Sequence, residues 1–400
     1  MNTEKEYVPV LRFPEYTYAN SVWHDNIVGN SINTLVPPKK LQSNDYKETG
    51  KYPIIDQSQD FICGYSDDDS ALINKNAKEL IVFGDHTCVL KFIDFPFIQG
   101  ADGIKIFKPK RADEIDVRYL YQYLIFSHIE SKEYKRHFSE LKKKIILYPI
   151  TINEQTKIAD CLFAIDSYIS SINEKMEQLK AHKKSLMQKL FPQKGHTVPE
   201  YRFSEFEKDR AWEKMKLGDV TIVVNRRNKS NRSLPIYSIS NKDGFILQSE
   251  QFDGLDSESR GYDISLYKIV GRNTFAYNPA RINIGSIGYS GDLKEVLISS
   301  LYVCFKTTDE LDDEFLICFL KTAQFYQAVE NNVEGGIRSY LFYENFSRIK
   351  ICLPSLLEQK KIASTILSID EVISKYTDKV SLLEDYKKGL MQQLFPTITK

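Results

Sequence analysis

A seven-residue apolar repeat runs through two stretches of the chain, 154–192 and 358–396. Alternating steps of four and three residues put these side chains on one narrow stripe of a helix, which is the pattern of a coiled-coil seam. The seam positions are Ile158, Leu162, Ile165, Ile169, Ile172, Met176, Leu179 and Leu186 in the first stretch, and Ile362, Ile366, Ile369, Ile373, Val380, Leu383 and Leu390 in the second. The repeat therefore predicts two long helices.

Both predicted helices have recognisable ends. Thr151–Glu154 and Ser355–Glu358 fit a capping box, and Phe191-Pro192 and Phe395-Pro396 close the stretches because a residue before proline avoids helical geometry. Such a helix measures ~55 Å at ~1.5 Å per residue. Each helix could pack on its own domain, but we favour antiparallel pairing of the two helices with each other.

Lysine interrupts the same seam position in both stretches, at Lys183 and Lys387. Two explanations are open. A lysine near the end of a seam can lay its aliphatic stem along apolar neighbours and extend its ammonium into water, and we favour this snorkelling. The alternative is a contact that fixes the register of the helices or binds a partner.

The two helical stretches belong to an internal repeat. Glu154 recurs as Glu358, and the same offset of 204 residues aligns the chain without a gap as far as Pro192, with about half of the positions identical. A weaker repeat relates VPVLRF at 8–13 to VPEYRF at 198–203, and the two tryptophans fall at equivalent places. We therefore divide the chain into a first variable domain (1–150), a first helical segment (151–195), a second variable domain (196–353) and a second helical segment (354–400).

The variable domains show mixed α and β patterns and little sequence likeness to each other. Residues 78–94 and 297–307 are strand-like, whereas 118–129 and 313–329 are helix-like. Alternation at Ile349, Ile351 and Leu353 predicts a strand that leads into the second helix. The predicted fold class is α+β: two mixed α/β domains are joined by two long helices that form an antiparallel coiled coil with pseudo-two-fold symmetry.

The second variable domain carries the most basic segment of the chain, 225–232, with four cations, no acid and interspersed amides. Arginine and asparagine can contact guanine and adenine edges bidentately, and lysine neutralises phosphate. The segment therefore predicts a DNA contact, with an unliganded solvated loop as the alternative. The candidate residues are Arg226, Arg227, Asn228, Lys229 and Arg232, with Arg272, Asn273, Arg281 and Arg338 from polar loops nearby in the sequence.

The first variable domain offers weaker signals. Basic or amide side chains near predicted turns give Lys39, Lys40, Gln57, Gln59, His86 and Lys105 as candidate DNA contacts. We interpret His86, which lies in the turn Gly84–Thr87, as structural or as a phosphate contact. The acidic run Asp67–Asp69 is expected to be solvated surface.

Composition and motifs narrow the choice of function. The formal net charge is +0, so only local patches could attract nucleic acid. Six scattered cysteines, no long apolar run and no amino-terminal leader suggest a cytoplasmic protein without a membrane span. The chain has no G-x-x-x-x-G-K-[ST], no H-E-x-x-H and no G-x-S-x-G, so we expect no catalytic residue, metal or cofactor in it.

The order of these motifs resembles a known family. P-x-x-R-F, then W-x4-[VL]-G-[ND], a variable domain, E-Q-x-K-I-A, a heptad helix and L-M-Q-x-L-F-P together look like the specificity subunit of type I restriction–modification systems, in both halves of the chain. The resemblance implies two target-recognition domains, each binding one half of a bipartite, asymmetric double-stranded DNA site. It also implies that the paired helices set the spacer between the half-sites.

The same resemblance implies the partners. Two modification subunits, which would bind S-adenosylmethionine, methylate adenine and dock around the helices, and two ATP- and Mg-dependent restriction–translocation subunits would supply the chemistry. Two alternatives stay open. The chain could be a coiled-coil scaffold that binds no DNA, or the recognition half of a split enzyme whose single partner carries both restriction and methylation.

Overall fold

The computed structural model describes residues 7–17, 22–101, 103–128, 135–333 and 340–397. The chain forms two compact units, one comprising 1–174 and 377–400, the other 175–376. Both long helices run across the boundary between the units, so each unit holds the amino-terminal part of one long helix and the carboxy-terminal part of the other.

The described helices are α1 (Pro14–Thr17), α2 (Val28–Ser31), α3 (Val117–Phe126), α4 (Phe138–Lys143), α5 (Ile152–Leu190), α6 (Gln248–Gln251), α7 (Asp313–Phe319), α8 (Ala323–Asn332), α9 (Tyr343–Phe346) and α10 (Leu356–Leu394). The strands of the first unit are β1 (Trp23–Ile27), β2 (Ile32–Leu35), β3 (Tyr52–Ile55), β4 (Gly64–Ser66), β5 (Leu72–Ile73), β6 (Leu80–Gly84), β7 (Leu90–Ile93), β8 (Phe97–Gln99), β9 (Ile104–Pro109) and β10 (Ile145–Pro149). The strands of the second unit are β11 (Glu213–Lys216), β12 (Thr221–Val223), β13 (Ile236–Ser240), β14 (Gly244–Leu247), β15 (Lys268–Val270), β16 (Phe275–Tyr277), β17 (Ile287–Tyr289), β18 (Val296–Ile298), β19 (Val303–Thr307) and β20 (Lys350–Leu353).

The two variable domains have the same strand topology. The first contains sheets of order β2-β9-β6-β7 and β4-β3-β8-β5 and the pair β1-β10; adding ten to each strand number gives the sheets of the second. Even the parallel pair recurs, as β3 with β8 and β13 with β18. The sequences of the two domains suggested little likeness, but their folds correspond strand by strand.

The predicted mixed α/β class and the two long helices are confirmed, and β20 is the predicted closing strand. Three predicted elements are divided. The segment 78–94 is the hairpin β6–β7, and 297–307 contributes to β18 and β19, which lie in different sheets. The helix predicted over 313–329 breaks after Phe319 into α7 and α8, because the Thr322 hydroxyl caps a new helix by accepting the Phe325 N–H.

Each unit has an apolar core that the end of a long helix helps to fill. In the first unit, Phe395 packs edge-to-face against Tyr119 and Tyr123 and at a tilt against Phe126, with ring centroids 5.1 to 5.6 Å apart. In the second unit Phe191, at the end of α5, lies 5.2 Å from the Phe315 ring. The L-F-P motif thus ends a helix and also supplies a core aromatic side chain.

All seam positions are buried or half-buried, while most of their neighbours on α5 and α10 are exposed. Among the described residues, no helix is both long and apolar enough to cross a bilayer.

Candidate nucleic-acid interface

A buried ion pair holds the start of each long helix. Arg12 and Glu154 make a bidentate pair at 2.7 and 2.8 Å in the first unit, and Arg202 and Glu358 make the same pair at 2.8 and 2.7 Å in the second. Bidentate arginine–carboxylate pairs fix orientation as well as distance. Half of the predicted capping box forms at the second helix, since the Ser355 hydroxyl accepts the Glu358 N–H at 3.4 Å, while the Glu358 carboxylate binds Arg202 and Trp212 instead.

The glutamine that follows each glutamate ties the long helix to the domain. Gln155 accepts the N–H of Asp116 and donates to the carbonyls of Glu114 and Pro149, each at 2.8 Å. Gln359 makes the equivalent three bonds in the second unit at 2.9 to 3.0 Å. Because every polar atom of a buried amide needs a partner, these three bonds hold the long helix to the end of the closing strand of its domain and to the segment that precedes α3 or α7. The E-Q motif therefore attaches each long helix to the variable domain that precedes it.

The two seam lysines are ion-paired within their own units. Lys183 Nζ lies 2.5 Å from both carboxylate oxygens of Asp370, and Lys387 Nζ lies 2.6 and 2.7 Å from those of Asp166. Both lysine side chains are largely buried, at 15% and 12% exposure. The snorkelling explanation is therefore wrong, and the alternative of a contact that fixes helix register agrees with these pairs.

The basic segment of the second domain is the connection between β12 and β13. Asn228 is fully buried there; its amide donates to the carbonyls of Arg232 and Ile264 at 2.9 and 3.3 Å, and its side-chain oxygen accepts the Arg232 N–H at 2.9 Å. An amide used in this way has no edge left to contact a base. We therefore withdraw Asn228 as a DNA contact and assign it the role of shaping the loop.

Two arginines of the same loop share one carboxylate. Arg226 pairs with one oxygen of Glu295, and Arg232 lies 2.6 Å from the other. Hydrogen bonds from Arg232 and Arg226 lower the pKa of Glu295, so the carboxylate is ionised at neutral pH. Arg227 and Lys229 are exposed, and neither side chain has an ion pair among the described residues.

The other candidates of the second domain do not form one cluster. β15 and β18 pair with Val270 opposite Val296, so the exposed Arg272 and Glu295 both lie just beyond the same end of this strand pair. Asn273 has a positive φ of 53° and its side chain accepts the Tyr289 hydroxyl at 3.1 Å. The exposed Arg281 lies in the loop after β16, at the other end of that strand. Arg338 lies outside the described residues.

In the first domain, the acidic run Asp67–Asp69 pairs with lysines of the connection between β2 and β3. Three lysines of the β2–β3 connection each pair with one of these aspartates, and hydrogen bonds led by Lys39 lower the pKa of Asp68 to about 2. The predicted solvated surface is confirmed for Asp67 and Asp69, which are exposed, but the lysine partners of the run were not predicted. The pairs are Lys39 with Asp68, Lys47 with Asp67 and Lys51 with Asp69, with N–O distances of 2.7, 2.8 and 3.0 Å.

Several other candidates of this domain meet at one sheet edge. β2 and β6 both run antiparallel to β9. The connections that follow β2 and β6 therefore leave the sheet at the edge where β9 begins, and Lys105 is the second residue of β9. The turn after β6 holds His86, whose Nδ1 lies 3.2 Å from the Lys135 carbonyl. Lys40 lies on the connection that precedes β3 and Gln59 on the connection that follows it, and both residues are exposed.

Gln57 approaches the same edge. Its main-chain carbonyl accepts the Thr87 hydroxyl at 2.6 Å, and its side-chain oxygen is buried without a partner among the described residues. Gly103, with a φ of 106°, lies directly against this amide; a Cβ there would be 2.6 Å from the Gln57 oxygen. The edge is therefore closely packed around an unsatisfied acceptor.

The candidates of the two domains occupy equivalent connections. Lys39 and Lys40 lie between β2 and β3, where the second domain has its basic segment between β12 and β13. His86 follows β6, and Arg281 follows the equivalent β16. In both domains these connections leave the same sheet edge, because β12 and β16 likewise both run antiparallel to β19.

Sequence inspection missed the acids that organise these cations. Glu295 precedes an ordinary apolar strand, and no pattern links it to a loop some sixty residues earlier. Arg12 and Arg202 could have been found, since both lie in the repeated R-F motif, but their buried glutamate partners are remote in sequence. Among the described residues, no cluster of three His, Cys, Asp or Glu side chains is arranged to hold a metal ion.

Comparison with known proteins identifies relatives. The putative type I restriction enzyme MjaX specificity subunit of Methanocaldococcus jannaschii is 25% identical over 285 residues, which are 70% of this chain and 65% of that protein. The type I restriction enzyme MjaVIII specificity subunit of the same organism is 28% identical over 263 residues, 63% of this chain and 61% of that protein. The matched region thus spans less than two thirds of either relative.

A solved structure shares the fold. The S subunit of a type I restriction–modification system from M. genitalium superposes with a TM-score of 0.64 at 16% identity, covering 98% of this chain and 100% of that one. The family model described as type I restriction modification DNA specificity domain matches twice, at residues 28–181 and 209–382. Because these two matches cover most of the chain, it belongs to the family of type I restriction–modification DNA specificity domain proteins.

Proposed function

We propose that the chain is the DNA specificity subunit of a type I restriction–modification complex. The observation that carries this proposal is the duplicated family domain, whose two copies have one topology but different charged loops. A single frame with two different sets of loops suits a protein that binds two unlike half-sites. The chain itself performs no catalytic step in this proposal.

We propose that each target-recognition domain contacts DNA through the connections at one sheet edge. In the second domain these are the basic segment with Arg226, Arg227, Lys229 and Arg232 and the loop with Arg281. In the first domain they are the loops with Lys39 and Lys40, with Gln57 and Gln59, and with His86, beside Lys105. Exposed cations there would neutralise phosphates, and exposed amides would contact base edges.

We propose that α5 and α10 form an antiparallel coiled coil with pseudo-two-fold symmetry. The pairs Lys183–Asp370 and Lys387–Asp166 support it, because an offset of 204 residues converts each pair into the other. The same offset relates Lys189 to Gln393, whose carbonyls accept the N–H groups of Tyr201 and Leu11 at 3.0 and 2.9 Å within their respective units. Such a frame would present the two domains in inverted orientation on one duplex.

The proposed partners carry the chemistry. Two modification subunits would supply S-adenosylmethionine and adenine methylation, and two restriction subunits would supply ATP- and Mg-dependent translocation and cleavage. Exposed faces of α5 and α10 are the surfaces we propose for the modification subunits, since both helices turn most non-seam positions to solvent.

A domain exchange tests the proposal. Residues 196–353 are replaced by the corresponding domain of a relative, the whole system is expressed in a host, and methylated adenines are mapped by single-molecule sequencing. One half of the methylated motif should change while the other half and the spacer stay the same. The matched control replaces 1–150 instead and should change the opposite half. Changes in both halves after one exchange would contradict modular recognition.

A second experiment tests the helices as a spacer. Insertion of one or two helical turns after Leu179 should lengthen the gap between the half-sites of the methylated motif. A motif with an unchanged gap would contradict this role.

A further inference from the structure

Resting on the proposed function, one cluster in the second domain points to how DNA is engaged. Arg226 and Arg232 come from the same loop and bind opposite oxygens of Glu295. The cluster is accessible: the side chains of Arg226, Arg232 and Glu295 are 59%, 41% and 34% exposed. A carboxylate bound between two guanidinium groups has the charge and the oxygen spacing of a phosphodiester, which arginine also binds bidentately.

The loop backbone is fixed independently of this carboxylate. Arg226 accepts the Ile269 N–H at 2.7 Å through its carbonyl, and the buried Asn228 donates its backbone N–H to the Tyr267 carbonyl at 2.9 Å. The Asn228 side chain additionally holds the Arg232 backbone. Loss of the Glu295 contact would therefore release two arginine side chains without unfolding the loop.

The charge around the cluster favours an anion in the same place. Arg227 and Lys229 lie in the same loop as Arg226 and Arg232, and Arg272 and Glu295 lie just beyond the same end of the β15–β18 pair. The equivalent connection of the first domain differs, because three of its four lysines, Lys39, Lys47 and Lys51, each pair with one of the aspartates Asp67–Asp69. The basic loop of the second domain carries four cations, two of which share the single carboxylate of Glu295.

We propose that Glu295 occupies a phosphate site formed by Arg226 and Arg232 and that a DNA backbone phosphate displaces it when the second domain engages a duplex. Glu295 then competes with DNA and lowers the affinity of this domain for any duplex. The site acts on the backbone, so its effect does not depend on base sequence.

The test compares the full chain with its Glu295→Gln variant on a random-sequence duplex of ~30 base pairs, by fluorescence anisotropy across a salt series. Glu295→Gln should bind about two- to fivefold tighter near 50 mM salt, from the loss of one nearby repulsive charge. Glu250→Gln removes the same charge from an exposed position of the same domain and is the matched control.

A variant without the two arginines separates displacement of Glu295 from a general effect of protein charge on DNA affinity. In Arg226→Ala/Arg232→Ala, Glu295→Gln should give no more gain than Glu250→Gln does. Equal gains from both glutamine variants in the otherwise unmodified chain would overturn the proposal, and so would weaker binding of Glu295→Gln. If the unmodified chain lacks salt-dependent affinity for duplex DNA, the proposed function itself fails; if it has that affinity and Glu295→Gln changes nothing, only the phosphate site fails.

Discussion

Loss of Arg202 should destabilise the second unit more than loss of an ordinary surface cation. Its guanidinium makes two charge-assisted hydrogen bonds with Glu358, and the two side chains are only 9% and 1% exposed. Removing one partner of a buried pair leaves an uncompensated charge and costs ~3–5 kcal/mol. We therefore expect Arg202→Met to lower the free energy of unfolding by about that amount.

A second substitution tests whether the loss of stability comes from the Glu358 carboxylate, which is left buried without its cation. Glu358→Gln removes the charge but keeps an oxygen that can accept the Trp212 indole N–H, now bonded at 3.2 Å. Added to Arg202→Met, it should recover ~1–3 kcal/mol, because a neutral buried amide costs less than an unpaired charge. The two substitutions should therefore be strongly non-additive.

Urea unfolding measures both effects. The chain has one tryptophan in each unit, so a Trp23→Phe background leaves Trp212 as the reporter of the second unit. The control is Lys361→Met, which breaks the exposed pair of Lys361 with Glu205 on the same helix and should barely move the midpoint. An Arg202→Met variant that loses less than ~1 kcal/mol, or a double variant that sums both losses, would refute the reasoning.

Three further outcomes are expected. Lys183→Asp or Asp370→Lys alone should destabilise the helix contact by about 1 kcal/mol or more, and the double exchange should restore most of it in urea unfolding; no restoration would rule out a specific pair. Asn228→Ala should lower the melting temperature by removing buried amide bonds worth ~1–3 kcal/mol, and an unchanged melting temperature would show that the loop does not need them. Burial raises the pKa of Cys304 to about 11 and of Cys318 to about 12. Because the unfolded thiols ionise at about pH 8.5 while the folded ones keep their protons, the second unit should lose stability as pH rises from about 9 to 11; a pH-independent midpoint in that range would contradict this.

Local patterns predicted the elements that depend on neighbouring residues. The heptad spacing gave both long helices to within a few residues, and the strand before α10 was also predicted. Elements that depend on tertiary partners were predicted less well. Residues 297–307 look like one apolar strand, but they pass between two sheets, since β18 pairs with β13 and β15 whereas β19 pairs with β12 and β16.

The candidate site was likewise predicted where it depends on local sequence and missed where it depends on tertiary contacts. Residue type and local charge selected the loop with Arg226 and Arg232, which lies exposed on its domain. They could not exclude Asn228, because burial of that side chain depends on Ile264 and Tyr267, far along the chain. Nor could they find Glu295, whose importance comes only from its position beside the loop.

The sequence alone determined that this protein is duplicated, that two heptad helices follow two variable domains, and which segments are basic. These are properties of residue order, periodicity and composition, and a helix requires little more. The tertiary structure decided that the two variable domains share one topology, that the seam lysines are ion-paired, and that acids hold the candidate cations Arg226, Arg232 and Lys39. Each of these depends on contacts between residues distant in sequence, where burial and charge pairing act through space and leave no local pattern.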